Sequence, residues 1–350
     1  MKYLSLFTGI GGFEQGIAQA YVALTNRTKN KKGKSHPTSD VEKRARLVAS
    51  AWQSADTKGG RFSELLDWNH DKGALISVGY SEIDKYAIQI YQKHFPKHFN
   101  YGDITKINAD ELPNFDCLVG GFPCQSFSIA GQRKGFDDTR GTLFFDTLRI
   151  LKAKHPRFFV LENVKGLLSH DGGRTFKVII SSLAKLGYDL QWQVCNSANF
   201  NVPQNRERVF IVGHLRGTSR PEVFPFIHDD KVSAQADEAN GRRPQTALSH
   251  TLRGSNIKAD QTFIVENSAR HEPRKYKTTA PTVQSSYGTG GGHIPFVDAI
   301  RRLTPTECER LQGFPDDWTA GVSDSQRYKT LGNAVTVNVV AAIFERLLTP

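Results

Sequence analysis

No apolar run in this 350-residue chain approaches the roughly 18 residues that a bilayer-spanning helix requires. The opening Met1-Lys2-Tyr3-Leu4-Ser5-Leu6 goes straight into a strand pattern and lacks the regions of a signal peptide, so a cytosolic protein is expected. Cysteine is scarce, with Cys117, Cys124, Cys195 and Cys308 widely spaced. None stands in a Cys-x-x-Cys pair, so the spacing of a zinc site is missing and no metal is expected. In a reducing cytosol these four give no disulfide framework either. Reactive or buried thiols remain. Acidic residues are the minority, 35 against 46 Lys and Arg, for a net charge of +11. Such an excess suits a polyanionic partner, but charge alone does not separate a nucleic-acid binder from a basic protein that binds none.

What is present is alternation. Leu4, Leu6 and Phe7 read as a strand, Thr8-Gly9-Ile10-Gly11-Gly12 as a turn, and Phe13 to Ala20 as a helix. Residues 74–80 form a second strand pattern, followed by a helix over 84–94. Residues 115–119, 158–161, 190–195 and 209–213 are further strands, with helical stretches at 142–154 and 175–186. Strand–helix alternation predicts an α/β fold with a mostly parallel sheet and helices on both faces. The rhythm fails over 21–73, a partly basic stretch read as an insertion, and over 216–300, rich in Gly, Ser, Thr, Pro and Asn. The latter reads as a separate small domain with short β-like pieces. Its span from Arg242 to Lys277 holds eight Lys or Arg against three Asp or Glu. Helical patterns return over 303–315 and 328–348, so 301–350 is expected to pack back on residues 1–215.

Several stretches carry chemistry. Gly120-Gly121-Phe122-Pro123-Cys124-Gln125-Ser126 puts a cysteine where an apolar strand hands over to a loop, the end of an α/β sheet where ligands bind. A buried, inert thiol is the alternative. Gly9 and Gly11 let backbone approach a nucleotide-like ligand closely. Glu82, just past the second strand, can hold ribose hydroxyls or stabilise a helix N-terminus. Asp103 can accept from an exocyclic amine or cap a helix. Glu162 closes the run Phe158-Phe159-Val160-Leu161, where one-sided desolvation raises a carboxyl pKa and suits an acid that holds a ring nitrogen. Arg206 and Arg208, two apart on an extended segment, point the same way and can grip a phosphate or a base carbonyl, or form surface ion pairs.

Taken in order, Phe7-x-Gly9-x-Gly11, Pro123-Cys124-Gln125, Glu162-Asn163-Val164, Gln204-x-Arg206-x-Arg208, Arg302-Leu303-Thr304-Pro305-x-Glu307 and Gly332-Asn333-Ala334-Val335 resemble the motifs of the bacterial and phage DNA cytosine-5 methyltransferases of restriction–modification systems. The resemblance covers nearly all of the chain except 21–73 and the variable 216–300.

It implies a Rossmann-like, S-adenosylmethionine-dependent methyltransferase sheet in 1–215, a smaller target-recognition domain in 216–300 and a returning segment in 301–350. It implies that Cys124 adds to C6 of a flipped cytosine, that Glu162 holds N3 and the exocyclic amine, that Arg208 holds O2, and that Arg206 acts on the base or its phosphate. Phe7 would lie on the adenine of S-adenosylmethionine, Gly9 and Gly11 beside the methionine part, Glu82 on the ribose and Ile83 on the ring. Asp103 and Ile104 would read the adenine edge, and Asn333 and Val335 would close the pocket. Residues 125–140 look like a lid hinged at Gly131 and Gly135, with Gln125 and Ser128 meeting DNA. Arg253, Thr282 and Tyr287 would read bases. The partners implied are double-stranded DNA and, functionally, a cognate restriction endonuclease. A cytoplasmic monomer away from membranes is expected. A catalytically silent DNA-binding relative would not explain Cys124, Glu162 and Arg208 together. A nicotinamide dehydrogenase would not explain Pro123-Cys124-Gln125, and an RNA methyltransferase of similar core would not explain the size of 216–300.

Overall fold

A computed structural model describes residues 1–31, 75–123, 143–226, 264–266, 274–276, 283, 296–297 and 301–349. Strands β1 (Lys2–Leu6), β2 (Ile76–Ser81), β3 (Cys117–Gly121), β4 (Phe158–Val164), β5 (Tyr188–Asn196) and β6 (Glu207–Leu215) form one sheet in the order β2-β1-β3-β4-β6-β5. The first four run parallel, and β6 runs against both neighbours. Helices α1 (Gly12–Lys31), α2 (Lys85–His94), α3 (Leu143–Lys154) and α4 (Arg174–Lys185) lie between them in the chain.

The central strands are apolar throughout because both faces are covered. Successive side chains point to opposite faces, and the core divides accordingly. Leu4, Leu6, Leu118, Phe159, Leu161 and Ile211 pack with Leu148 and Leu151 of α3 and Ile179 and Leu183 of α4. Tyr3, Cys117, Val119, Phe158, Val160, Phe210 and Val212 pack with Phe13 and Ile17 of α1 and with a C-terminal helix, α7 below.

After the sheet come α5 (Pro305–Leu311), α6 (Asp324–Asn333) and α7 (Val337–Leu348). The Thr304-Pro305-x-Glu307 motif is the start of α5. Thr304 accepts from the Glu307 amide at 3.2 Å, Glu307 accepts from the Thr304 amide at 2.7 Å, and Pro305 takes a first-turn position that needs no donor. Helix α7 returns onto α1 so closely that a Cβ on Gly16 would sit 2.5 Å from Val340 Cβ. Among the described residues one stretch, 324–348, is long and apolar enough to cross a membrane. It is 67% buried within the fold and is interrupted between α6 and α7.

Some boundaries differ from the sequence reading. Helix α1 does not stop at Ala20 but runs to Lys31, so its last turns lie in what was read as insertion. Gly120 and Gly121 do not stop β3 but end inside it, because a Cβ on Gly120 would sit 2.8 Å from Leu6 O. Glu162 and Arg208 lie within β4 and β6, not beyond their ends. In the 216–300 region, β7 (Ile264–Glu266), β8 (Arg274–Tyr276) and β9 (Phe296–Val297), with β10 (Arg301–Arg302), form an antiparallel sheet ordered β10-β9-β7-β8. The segment leading into this region is gripped by β5. Gln191 Oε1 accepts from the amides of Val223 and Phe224 at 3.0 and 3.2 Å, and Gln193 holds the Phe226 amide and carbonyl at 2.8 and 3.1 Å.

Candidate active site

Two groups of residues meet at the rim where the parallel strands end. The first surrounds the turn after β1. Phe7 has φ 52°, a left-handed conformation unusual for a non-glycine residue and a mark of a functional turn. Its ring is partly buried against the Leu4–Leu6 side of the core. Gly9 and Gly11 have φ 58° and 90°. A Cβ on Gly9 would meet nothing within 4 Å, whereas one on Gly11 would meet the Phe95 ring at 2.6 Å. Gly9 therefore borders open space, and Gly11 is a packing position.

Glu82 ties this turn to β2. Its Oε2 accepts from Gly9 N at 2.8 Å, and its Oε1 accepts from the amides of Ile83 and Asp84 at 2.8 and 2.9 Å. Glu82 therefore ties the glycine turn to the two residues that lead into α2, while the helix itself is capped by Asp84, which accepts from the amides of Tyr86 and Ala87. Ile83 beside it is 72% exposed, an apolar side chain with no core to enter. Asn100, which the sequence reading passed over, fixes the next wall. Its Oδ1 accepts from the amides of Glu82 and Gly102 at 3.3 and 2.9 Å.

Asp103 caps a short 3₁₀ turn, accepting from Thr105 N and Oγ1 at 3.0 and 2.8 Å. Those bonds hold its carboxyl below the usual carboxylate range. They use one oxygen and leave the other without a hydrogen bond among the described residues. Ile104 differs from expectation. Its side chain is in the core, and Arg149 takes its carbonyl at 2.9 Å, so only its main chain can face a ligand. Asn333 is exposed at the end of α6, and Val335 Cγ1 lies 2.8 Å from where a Cβ on Gly12 would be. An open glycine turn, a bridging carboxylate and an exposed apolar side chain fit an adenosyl group.

The second group lies at the ends of β3 and β4. Gly121 pairs in register with Glu162, and the chain then passes through Phe122 and Pro123 toward Cys124. Asn163, named within a motif but given no role, donates to Phe122 O at 2.7 Å and so fixes that exit from β3. Glu162 Oε1 lies 3.0 Å from Arg208 Nε. Burial raises the Glu162 pKa above the ordinary carboxylate value, against the opposing pull of Arg208 and Arg206. A proton is thus easier to keep here than on a surface glutamate. A cavity of about 480 Å³ opens beside the pair, lined by Val164, Lys165, Asn196, Asn205, Glu207 and Arg208.

Arg206 is placed differently from Arg208. It is 2% exposed, and its guanidinium donates to three backbone carbonyls, those of Val283, Gly332 and Ala334, at 3.0, 3.0 and 2.7 Å. The expectation that it acts on the base or its phosphate does not match this placement, because both terminal nitrogens are taken within the protein.

Cys117, Cys195 and Cys308 are buried. Burial pushes the Cys195 thiol up to about 12 and the other two higher still, so none is poised as a thiolate near neutral pH. Cys124, Gln125, Ser128, Arg253, Thr282 and Tyr287 lie outside the described residues. No cluster of metal-binding side chains occurs among the described residues.

Residues 70–349 match the family model for C-5 cytosine-specific DNA methylase. The chain is 39% identical over 288 residues to the type II methyltransferase M1.ScrFI of Lactococcus lactis subsp. cremoris, covering 80% of this chain and 74% of that protein. It is 41% identical over 276 residues to the type II methyltransferase M.NgoBI of Neisseria gonorrhoeae, covering 78% and 86%. Among solved structures, a DNMT2 of Spodoptera frugiperda superposes with TM-score 0.58 at 16% identity, covering 99% of each chain. A prophage-encoded DNA modification methyltransferase of E. coli gives 0.55 at 17%, covering 99% and 98%. These last two likenesses establish the fold. The chain belongs to the C-5 cytosine-specific DNA methylase family and is a DNA cytosine-5 methyltransferase that uses S-adenosylmethionine.

Proposed function

We propose that this enzyme methylates C5 of a cytosine rotated out of a specific duplex sequence, through a covalent bond between Cys124 and C6. The observation that carries this reading is the desolvated Glu162–Arg208 pair, 3.0 Å apart, beside the exit of β3 that leads to Cys124. A cytosine inside the stack cannot reach such a rim, so the base must leave the duplex.

The thiolate of Cys124 adds to C6 and the C5=C6 double bond opens, which makes C5 nucleophilic. A protonated Glu162 holds N3 as electron density builds there, and its raised pKa favours that state. Arg208 offers its guanidinium to O2. Bound S-adenosylmethionine supplies an electrophilic methyl group. Glu82 would hold its ribose, the Gly9 turn would lie beside its methionine part, Ile83 and Phe7 would lie on its adenine, the other oxygen of Asp103 would take the exocyclic amine, and Asn333 and Val335 would close its far side. Once C5 carries the methyl group, loss of the C5 proton to a base restores the double bond and expels the cysteine.

Residues 216–300 are proposed to read the sequence, with Arg253, Thr282 and Tyr287 as base-reading candidates. Gln125 and Ser128 would meet DNA from the loop after β3. A functional pairing with a restriction endonuclease, a cytoplasmic setting and a monomeric state complete the proposal.

Substrate DNA carrying 5-fluorocytosine tests it. The fluorine cannot leave as a proton does, so the wild-type enzyme should be trapped on DNA through denaturing electrophoresis, and Cys124→Ser should not. A wild-type enzyme that methylates normal DNA but leaves no adduct would overturn the covalent route.

A further inference from the structure

The fork of Arg206 joins segments that are far apart in the chain. Nη1 donates to Val283 O at 3.0 Å, in the region proposed to read DNA, while Nη2 donates to Gly332 O and Ala334 O at 3.0 and 2.7 Å, in the turn proposed to close the cofactor pocket. That turn is braced from beneath. Gln312 Nε2 donates to Leu331 O at 3.0 Å, and Thr336 bonds Gln312 and Ser197 at 2.9 and 2.8 Å. From the turn, Val335 packs against Gly12, three residues on from Gly9, which borders the open space proposed for the cofactor.

The guanidinium is planar and rigid, so both ends of the fork move together. A shift of the Gly332–Ala334 carbonyls requires it to turn, and turning moves the nitrogen that holds Val283. Its direct acceptors are neutral carbonyls, and Nε has no partner among the described residues. Burial and Arg208 push its pKa down to about 9, opposed by Glu162, and the group stays cationic at neutral pH. An arginine needed only to fill volume would not require three aimed donors.

We propose that Arg206 is a positioning residue that couples occupancy of the cofactor pocket to the placement of the recognition segment at Val283, so that duplex DNA is held more tightly when the cofactor is bound. The inference rests on the functional reading above, in which 216–300 reads DNA and the Gly332–Val335 turn borders the cofactor.

The full chain is tested with S-adenosylhomocysteine, which fills the pocket without reacting, and with a duplex that the enzyme methylates. Duplex affinity is measured with and without S-adenosylhomocysteine, and the affinity for S-adenosylhomocysteine with and without duplex. The two ratios must agree, because binding linkage is reciprocal, and about fivefold or more is expected for the wild type. Arg206→Met should bring the ratio close to one while both ligands still bind, and Arg206→Lys should recover part of it. A folded Arg206→Met with the wild-type ratio, or a wild-type ratio of one, would overturn the inference. If Arg206→Met does not fold, hydrogen exchange on the wild type decides: S-adenosylhomocysteine should slow exchange in the peptide containing Val283, and an unchanged peptide refutes the coupling. A wild type that binds neither ligand would instead refute the functional reading.

Discussion

The parallel and antiparallel halves of the sheet reach the same rim by opposite routes. Strands β1 to β4 deliver residues there as they end: Gly9 after β1, Glu82 after β2, Pro123 after β3, Glu162 near the close of β4. Strand β6 runs the other way and delivers Arg208 as it begins, with Val164 opposite Arg208 and Glu162 opposite Phe210. The parallel half builds a pocket from turns and backbone amides, which suits a cofactor held by its edges. The antiparallel half inserts one long cation beside a desolvated carboxylate, which suits a base whose charge changes during reaction. Reversing a single strand lets one rim hold both.

Breaking the junction between the halves should cost most. Glu162→Gln should lower the single-turnover methylation rate by about 10²–10³ while the affinity for S-adenosylmethionine, whose proposed site lies at the other turns, changes little. Rapid-quench and binding measurements check this. Arg208→Met removes the partner from the other side. It leaves Glu162 desolvated without its direct ion-pair partner and with only the more distant Arg206 charge, so we expect a loss on the order of 3 kcal/mol in denaturant unfolding at pH 8, reduced in acid where Glu162 is protonated.

Within the parallel half, the glycine turn can be divided. Gly11→Ala forces a Cβ against Phe95 at positive φ and should destabilise the fold by about 2 kcal/mol. Gly9→Ala meets open space and carries only the backbone penalty, about 1 kcal/mol, with cofactor affinity as its more sensitive readout.

The halves also share an acid weakness. Burial pushes His94, the last residue of α2, and His214, on β6, down to about 4. Between there and the unfolded value near 6.5 the unfolded chain binds protons that the folded chain refuses, so stability falls as pH drops through that window. His214→Gln should flatten the fall between pH 6.5 and 5 by up to about 1 kcal/mol, seen as a smaller shift in melting temperature.

The strands were legible because covered strands are continuously apolar and helices between them are not. The carboxylates at strand ends were legible for the same reason, since Glu162 interrupts an apolar run and Glu82 follows one. Arg206 and Arg208 show where sequence reasoning stopped. Their spacing puts both on one side of an extended segment, and nothing local separates them. What does is whether distant backbone closes over each: Val283 and the Gly332–Ala334 turn close over one, and the other lines an open cavity. Gly120 and Gly121 show the converse. They lie beyond the strand expected over 115–119, yet they are the last two residues of β3, and at Gly120 the carbonyl of Leu6 leaves no room for a Cβ. Asn163 and Asn100 were visible as residues yet had no detectable purpose until their backbone partners were in place.

All three acceptors of Arg206 are main-chain carbonyls, and the partners that Gln191 and Gln193 hold at residues 223–226 are likewise main-chain groups, three amides and one carbonyl. Such grips are indifferent to the side chain at the gripped position. The hydrogen bonds to residues 283, 332 and 334 therefore do not depend on the side chains there, and what constrains Val283 and Ala334 is their burial in the core. With 216–300 as the proposed reader of target sequences, such main-chain grips separate the side chains that would do the reading from the bonds that hold the region in place.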